Sequence, residues 1–204
     1  MTGPINLLFS GDILAFVTLM AALILALSLH EYGHALAADV QGDMTARRAG
    51  RLSLNPVVHL DPIGTFLLVM AGIGWGKPVP FNPAALRNRR FGSAIVGIAG
   101  PAMNILLAVG AAFSLRWVAS EFFARIIFQF LVVNVVLAVF NLIPVPPLDG
   151  SRLLSALLPP GRQHIVYALD RWGIFILLIV VFFFRGPLFF VINFVVSLIM
   201  GAIL

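Results

Sequence analysis

Long apolar blocks separated by short polar segments make up most of the chain. The first runs from about residue 13 to 40, and others cover about 92–116, 122–143, 165–184 and 187–204. Each can supply the roughly 20 apolar residues that a helix needs to cross the hydrocarbon of a bilayer. Residues 1–12 carry no Lys or Arg. A secretory signal needs a basic start and a small-residue cleavage site, so the first block reads as a retained helix. Residues 41–60 are polar. The apolar stretch from Ile63 to Trp75 is 13 residues long and contains Gly64, Gly72 and Gly74, too short for a comfortable span. It reads as a re-entrant or β-hairpin segment within 61–81, tolerated only if buried in protein or lining a wet cavity. Arg185-Gly186-Pro187 reads as the tight turn before the last span. The pattern predicts an all-α polytopic membrane protein. It has about five transmembrane helices plus the short segment. Residues 1–204 form one integral membrane domain, with no stretch left for an appended soluble domain.

Composition agrees: 61% of residues are hydrophobic and 10% charged, which is not a soluble composition. The net charge of +5 raises the question of nucleic acid, and the positions of the charges answer it. If 61–75 does not cross and the N-terminus lies outside, Arg47, Arg48, Arg51, Lys77, Arg87, Arg89, Arg90, Arg152, Arg162 and Arg171 share one side. Arg116, Arg125 and Arg185 take the other. Ten against three places the basic side in the cytoplasm. The bases then anchor the chain to the lipid bilayer, and no nucleic-acid partner is expected. The sequence does not define an oligomeric state. It holds no cysteine, so there is no disulfide and no thiolate ligand. Any metal must use His, Asp or Glu.

Inside the first apolar block lies His30-Glu31-Tyr32-Gly33-His34, which reads H-E-x-x-H. The chain has only two glutamates and four histidines. Residues i and i+4 share one face of a helix, so His30 and His34 can hold one zinc ion. Glu31 stands beside that ion without ligating it and can take a proton from water. Ionisable groups in apolar surroundings are costly and mark function. The bland alternative is a helix that merely contains these residues.

Charge meets apolar sequence again in FNLIPVPPLDGSR, residues 140–152. Proline cannot continue a helix, so the preceding span breaks here. A catalytic zinc wants three protein ligands and an open position. Asp149 is the best third ligand on chemistry. It is equally readable as the N-cap of a short helix starting at Gly150.

HEYGH at 30–34, AGPAMN at 99–104 and NLIPVPPLDG at 141–150 together resemble the site-2 protease family of intramembrane zinc metalloproteases, peptidase family M50. NPVVHLDPIGT and GWGKPVPFNP resemble its compact bacterial and archaeal branch, without PDZ or CBS modules. The resemblance covers roughly residues 20–160. It implies one zinc per chain held by His30, His34 and Asp149, with Glu31 as the base. It also suggests Asn141 as an oxyanion donor, against a plain role in capping backbone freed by the proline break. The expected activity is zinc-dependent endopeptidase cleavage in or near transmembrane segments of membrane proteins. The expected location is the cell membrane, with the site towards the cytoplasm and reached by a polar cleft. The segment 61–81 would offer an edge strand to an unwound substrate. Asn104 is expected to hydrogen-bond between helices, and Gly100 and Pro101 to shape their helix. His59 is expected to make a structural hydrogen bond, and His164 to lie at the interface. Two alternative functions are a metal-ion transporter and a non-catalytic zinc-binding scaffold.

Overall fold

The computed structural model describes residues 4–203 other than 73, 89, 160 and 161; at 163, 164, 166 and 167 it describes the backbone alone. The charge at Arg89 and the interfacial place expected for the His164 side chain fall outside the described residues. Nine α-helices are present among those described: α1 (Ile5–Phe9), α2 (Ile13–Val40), α3 (Thr45–Arg48), α4 (Pro62–Ala71), α5 (Gly92–Leu115), α6 (Glu121–Asn141), α7 (Gly150–Leu157), α8 (Gln163–Phe183) and α9 (Arg185–Ile203). Helices α2, α5, α6 and α9 are long and apolar enough to cross a membrane. Helix α8, with 21 residues, covers the stretch read as a fifth span but is not among these four. The turn before the last helix falls at Phe184, and Pro187 lies in the first turn of α9, where a missing N–H costs nothing.

Small residues explain how the helices pack. The buried positions of α5 are Gly92, Ala94, Val96, Gly97, Gly100, Pro101, Asn104, Ala108, Ala111 and Ala112. This face lets neighbouring backbones approach closely, as membrane helices require where the hydrophobic drive between helices is weak. Helix α5 accordingly packs against α2, α6, α7 and α9. Ala108, Ala111 and Ala112 share a core with Leu131 and Val135 of α6 and Ile192 and Ile199 of α9. Ala22 and Ala26 of α2 meet Val133 of α6. Large apolar side chains such as Leu106, Phe128 and Phe190 face outwards, as suits hydrocarbon around the bundle.

The segment 61–81 is a short helix with an extended return, not a β-hairpin. Asp61 caps α4 by accepting from the Gly64 amide at 2.8 Å, Pro62 takes its first position, and Gly72 closes it in the left-handed conformation. These local stop and start signals outweigh the glycines. Ten residues rise about 15 Å, half the hydrocarbon thickness, so α4 does not span. The return runs tightly along it. A Cβ on Gly64 would lie 2.1 Å from the Trp75 carbonyl oxygen, and one on Gly74 would lie 2.2 Å from that of Gly64. One antiparallel bridge joins Leu60 to Gly76.

Candidate metal centre

Helix α2 presents His30 and His34 on one face, one turn apart, with their rings edge to face and 4.6 Å between centroids. Their Nε2 atoms are 3.0 Å apart. The loop that follows α6 contains Pro144, Pro146 and Pro147, and it delivers Asp149 to the same point. Asp149 Oδ2 lies 3.1 Å from Nε2 of each histidine. Asp149 does occupy the N-cap position of α7, but its side chain makes no cap hydrogen bond. The carboxylate lies against the histidines instead.

The outer ring nitrogens fix the tautomers. His34 Nδ1 lies 2.6 Å from the Val96 carbonyl, which can only accept, so Nδ1 carries the proton. His30 Nδ1 lies 2.6 Å from Asn104 Oδ1. The Asn104 amide is oriented by its own donations, to the Ala26 carbonyl at 3.1 Å and to Asn134 Oδ1 at 2.8 Å. In the neutral rings both Nε2 atoms then carry the lone pair. Two ring nitrogens and a carboxylate oxygen crowd together at about 3 Å, an arrangement that a bound cation would satisfy. Ligands at zinc distances in a tetrahedron stand about 3.3 Å apart, so the observed triangle suits such an ion after slight expansion. The carboxylate, imidazole and fixed outer-shell partners are the donor set expected of zinc.

Gly100 makes this approach sterically feasible. A Cβ there would lie 2.4 Å from His34 Nε2 and 2.7 Å from His30 Cε1. Glu31 is outside the three-ligand group. It is 8% exposed, and its Oε2 accepts from the Val79 amide of the return segment at 3.2 Å. Solvent touches the site mainly through Asp149, whose side chain is 12% exposed against 4% and 7% for the histidines.

A model of peptidase family M50 matches residues 116–184, a stretch that contains Asp149. YwhC of Bacillus subtilis (strain 168), by name a candidate zinc metalloprotease, is 39% identical over 173 residues, covering 79% of this chain and 78% of that protein. The chain belongs to peptidase family M50. Rip2 of Mycolicibacterium smegmatis, named likewise, is 32% identical over 180 residues, with 80% of this chain and 66% of Rip2 covered. Rip2 of Mycobacterium tuberculosis (strain H37Rv) is 27% identical over a stretch of the same length. No solved structure gives a significant match.

In this M50 chain the structure brings together His30, His34 and Asp149, and sets Glu31 beside them. Asn141 is placed differently. Its amide donates to the Leu137 carbonyl of its own helix at 3.0 Å, and among the described residues it makes no hydrogen bond to the three ligands. His59 is fully buried and donates through Nε2 to the Ser53 carbonyl at 2.7 Å, a structural bond as expected. Asn104 does bridge helices, and it also orients a ligand.

The edge-strand expectation meets an obstacle. Lys77 N–H is taken by the His59 carbonyl, the carbonyls of Lys77 and Pro78 by Arg51, and Val79 N–H by Glu31. Pro78 and Pro80 have no N–H to offer. The segment is bonded inwards, so its backbone is not a free edge at 77–79.

Sequence reasoning missed Asn134, Arg51 and Arg152. Asn134 was signalled by an amide in mid-span, costly unless paired. The Arg152 guanidinium sits 4.5 Å above the Phe81 ring. Burial lowers its pKa, partly opposed by the carboxylates of Asp149 and Glu31.

Proposed function

We propose that this M50 chain is a zinc-dependent intramembrane endopeptidase, holding one zinc ion through His30 Nε2, His34 Nε2 and Asp149 Oδ2. It hydrolyses peptide bonds in or near the transmembrane segments of membrane proteins. The observation that carries this reading is the convergence of three potential ligand atoms within a bundle of membrane-length helices, with a glutamate alongside.

The chemistry that a bound zinc supplies is Lewis acidity towards water and a peptide carbonyl. The residues do the rest. Asn104 and the Val96 carbonyl hold the imidazoles in the ligating tautomer. Glu31 takes a proton from the attacking water as its oxygen bonds to the carbonyl carbon. It returns that proton to the nitrogen as the C–N bond breaks. Burial keeps these charges in a low dielectric, where they act strongly. A substrate helix hides its peptide bonds in internal hydrogen bonds and must unwind to reach Glu31. The centre faces the cytoplasm in this reading, which the excess of Lys and Arg on that side supports.

Glu31→Gln is the test. Purified protein of this variant retains stoichiometric zinc, while membranes containing it lose the fragments that the wild type generates, as compared by proteomics. Persistence of the same fragments with Glu31→Gln would rule out the peptidase reading. Zinc flux across vesicles that survives the change would point to transport instead.

A further inference from the structure

The polar loop after α3 contains a buried arginine with no carboxylate partner among the described residues. Arg51 is 6% exposed, and its Nη2 donates to the Lys77 and Pro78 carbonyls, the latter at 3.2 Å. Its Nε is buried without a partner among the described residues, as is His59 Nδ1. A buried guanidinium stays charged, and each unsatisfied buried group is destabilising. An apolar residue would fill this place more cheaply, unless the charge positions something.

What it positions follows from peptide geometry. The Pro78 carbonyl and the Val79 N–H belong to one peptide unit. That unit is planar and trans, so the two groups point in opposite directions. Arg51 grips the oxygen end. The hydrogen end points at Glu31 Oε2, 3.2 Å away. A cation, one peptide dipole and a carboxylate thus stand in line. The Gly76–Lys77 unit, two units back along the chain, is held as well, since the Lys77 amide donates to the His59 carbonyl at 2.8 Å. The flanking prolines leave this stretch no regular ladder of donors to rely on.

We infer that Arg51 is a positioning residue for the reaction: through the Pro78–Val79 peptide it fixes one oxygen of Glu31 and leaves the other free for the water proton. This rests on Glu31 being the base. Loss of the grip lets the peptide unit rotate and Glu31 swing, and misplacements of about 1 Å can cost up to roughly a hundredfold in rate.

The experiment compares wild type, Arg51→Met, Arg51→Lys and Glu31→Gln, purified in detergent. The reporter is a single-span peptide with a fluorophore and quencher flanking a proline-interrupted apolar segment. Val79 carries the one main-chain amide hydrogen within residues 78–80, so hydrogen exchange there reads the proposed contact directly, with zinc present or removed. For Arg51→Met we expect exchange at Val79 at least tenfold faster with and without zinc. We also expect kcat lower by roughly ten- to a hundredfold, KM within twofold and one zinc per chain. Arg51→Lys, whose ammonium keeps the charge but sits on a shorter side chain than the Nη2 that bridges both carbonyls, falls between and covers the case where the methionine variant does not fold. Unchanged Val79 exchange in these variants, or a rise in KM at constant kcat, overturns the inference. So does a loss of rate that tracks loss of zinc. If Glu31→Gln is inactive and Arg51→Met keeps the wild-type kcat, only this inference fails. If Glu31→Gln cleaves, the peptidase reading itself fails.

Discussion

Replacing Asn104 with alanine separates metal affinity from bundle stability. Asn104 accepts from His30 Nδ1 at 2.6 Å and donates to Asn134 Oδ1 at 2.8 Å. Its removal leaves two buried polar atoms unpaired, the His30 N–H and Asn134 Oδ1, at about 1–3 kcal/mol each. The Ala26 carbonyl keeps its place in the ladder of α2. The His30 ring also loses the acceptor that fixes its tautomer. Losing such an outer-shell partner typically weakens a metal site 10- to 100-fold, which is about 1.4–2.7 kcal/mol. Asn134→Ala is the paired control. It strips a partner from Asn104 but leaves both the His30 bond and the Ala26 bond in place. Zinc affinity, measured in micelles by competition with a chromophoric chelator, should fall 10- to 100-fold for Asn104→Ala and less than threefold for Asn134→Ala. Both should unfold at lower temperature than wild type. A folded Asn104→Ala protein that binds zinc within threefold of wild type would refute the claim that this amide holds the ligand.

Further expectations concern other contacts. Gly100→Ala places a methyl 2.4 Å from His34 Nε2, so zinc stoichiometry by elemental analysis should drop well below one in a chain whose circular dichroism remains helical. Asp149→Ala should likewise abolish stoichiometric zinc, whereas a residue serving only as a helix cap would cost about 1 kcal/mol of stability and leave the metal in place. Asp43 is buried, which pushes its pKa up. The Thr45 hydroxyl and the Asn82 and Thr45 amides more than reverse this and hold it below its ordinary 3.8. Because the folded value lies below the unfolded one, the stabilisation is fully present above about pH 4 and is lost as pH falls through the folded value. Thermal unfolding of wild type should therefore lose stability on acidification below pH 4 by more than that of Asp43→Asn, and parallel curves would refute it.

The spans, the H-E-x-x-H face and the proline break were all legible in the sequence, because each is encoded by neighbours. A helix long enough to cross is set by a run of apolar residues, and two histidines four apart share a face by helical geometry alone. The termini of α2, α5 and α6 fall within a residue or two of the expected ends, since Asp12, the polar loops and the prolines mark them locally. The short element at 62–71 misled in one respect: its glycines suggested a hairpin, while Asp61, Pro62 and Gly72 fixed a helix. The tertiary structure settled what depends on contacts distant in sequence. Asp149 reads equally well as cap or ligand until the packing of α7 on α5 sets its carboxylate 3.1 Å from residues more than a hundred positions away. The Asn141 amide donates to the Leu137 carbonyl of its own helix, a local bond that its place in the sequence did not announce. Arg51 looked like one more cytoplasmic anchor. Only the folded loop shows it buried at the far end of a peptide from Glu31. Backbone spacing fixes which residues share a helix face; which faces meet is decided by the small residues of α5, whose close approaches exist only once the bundle has closed.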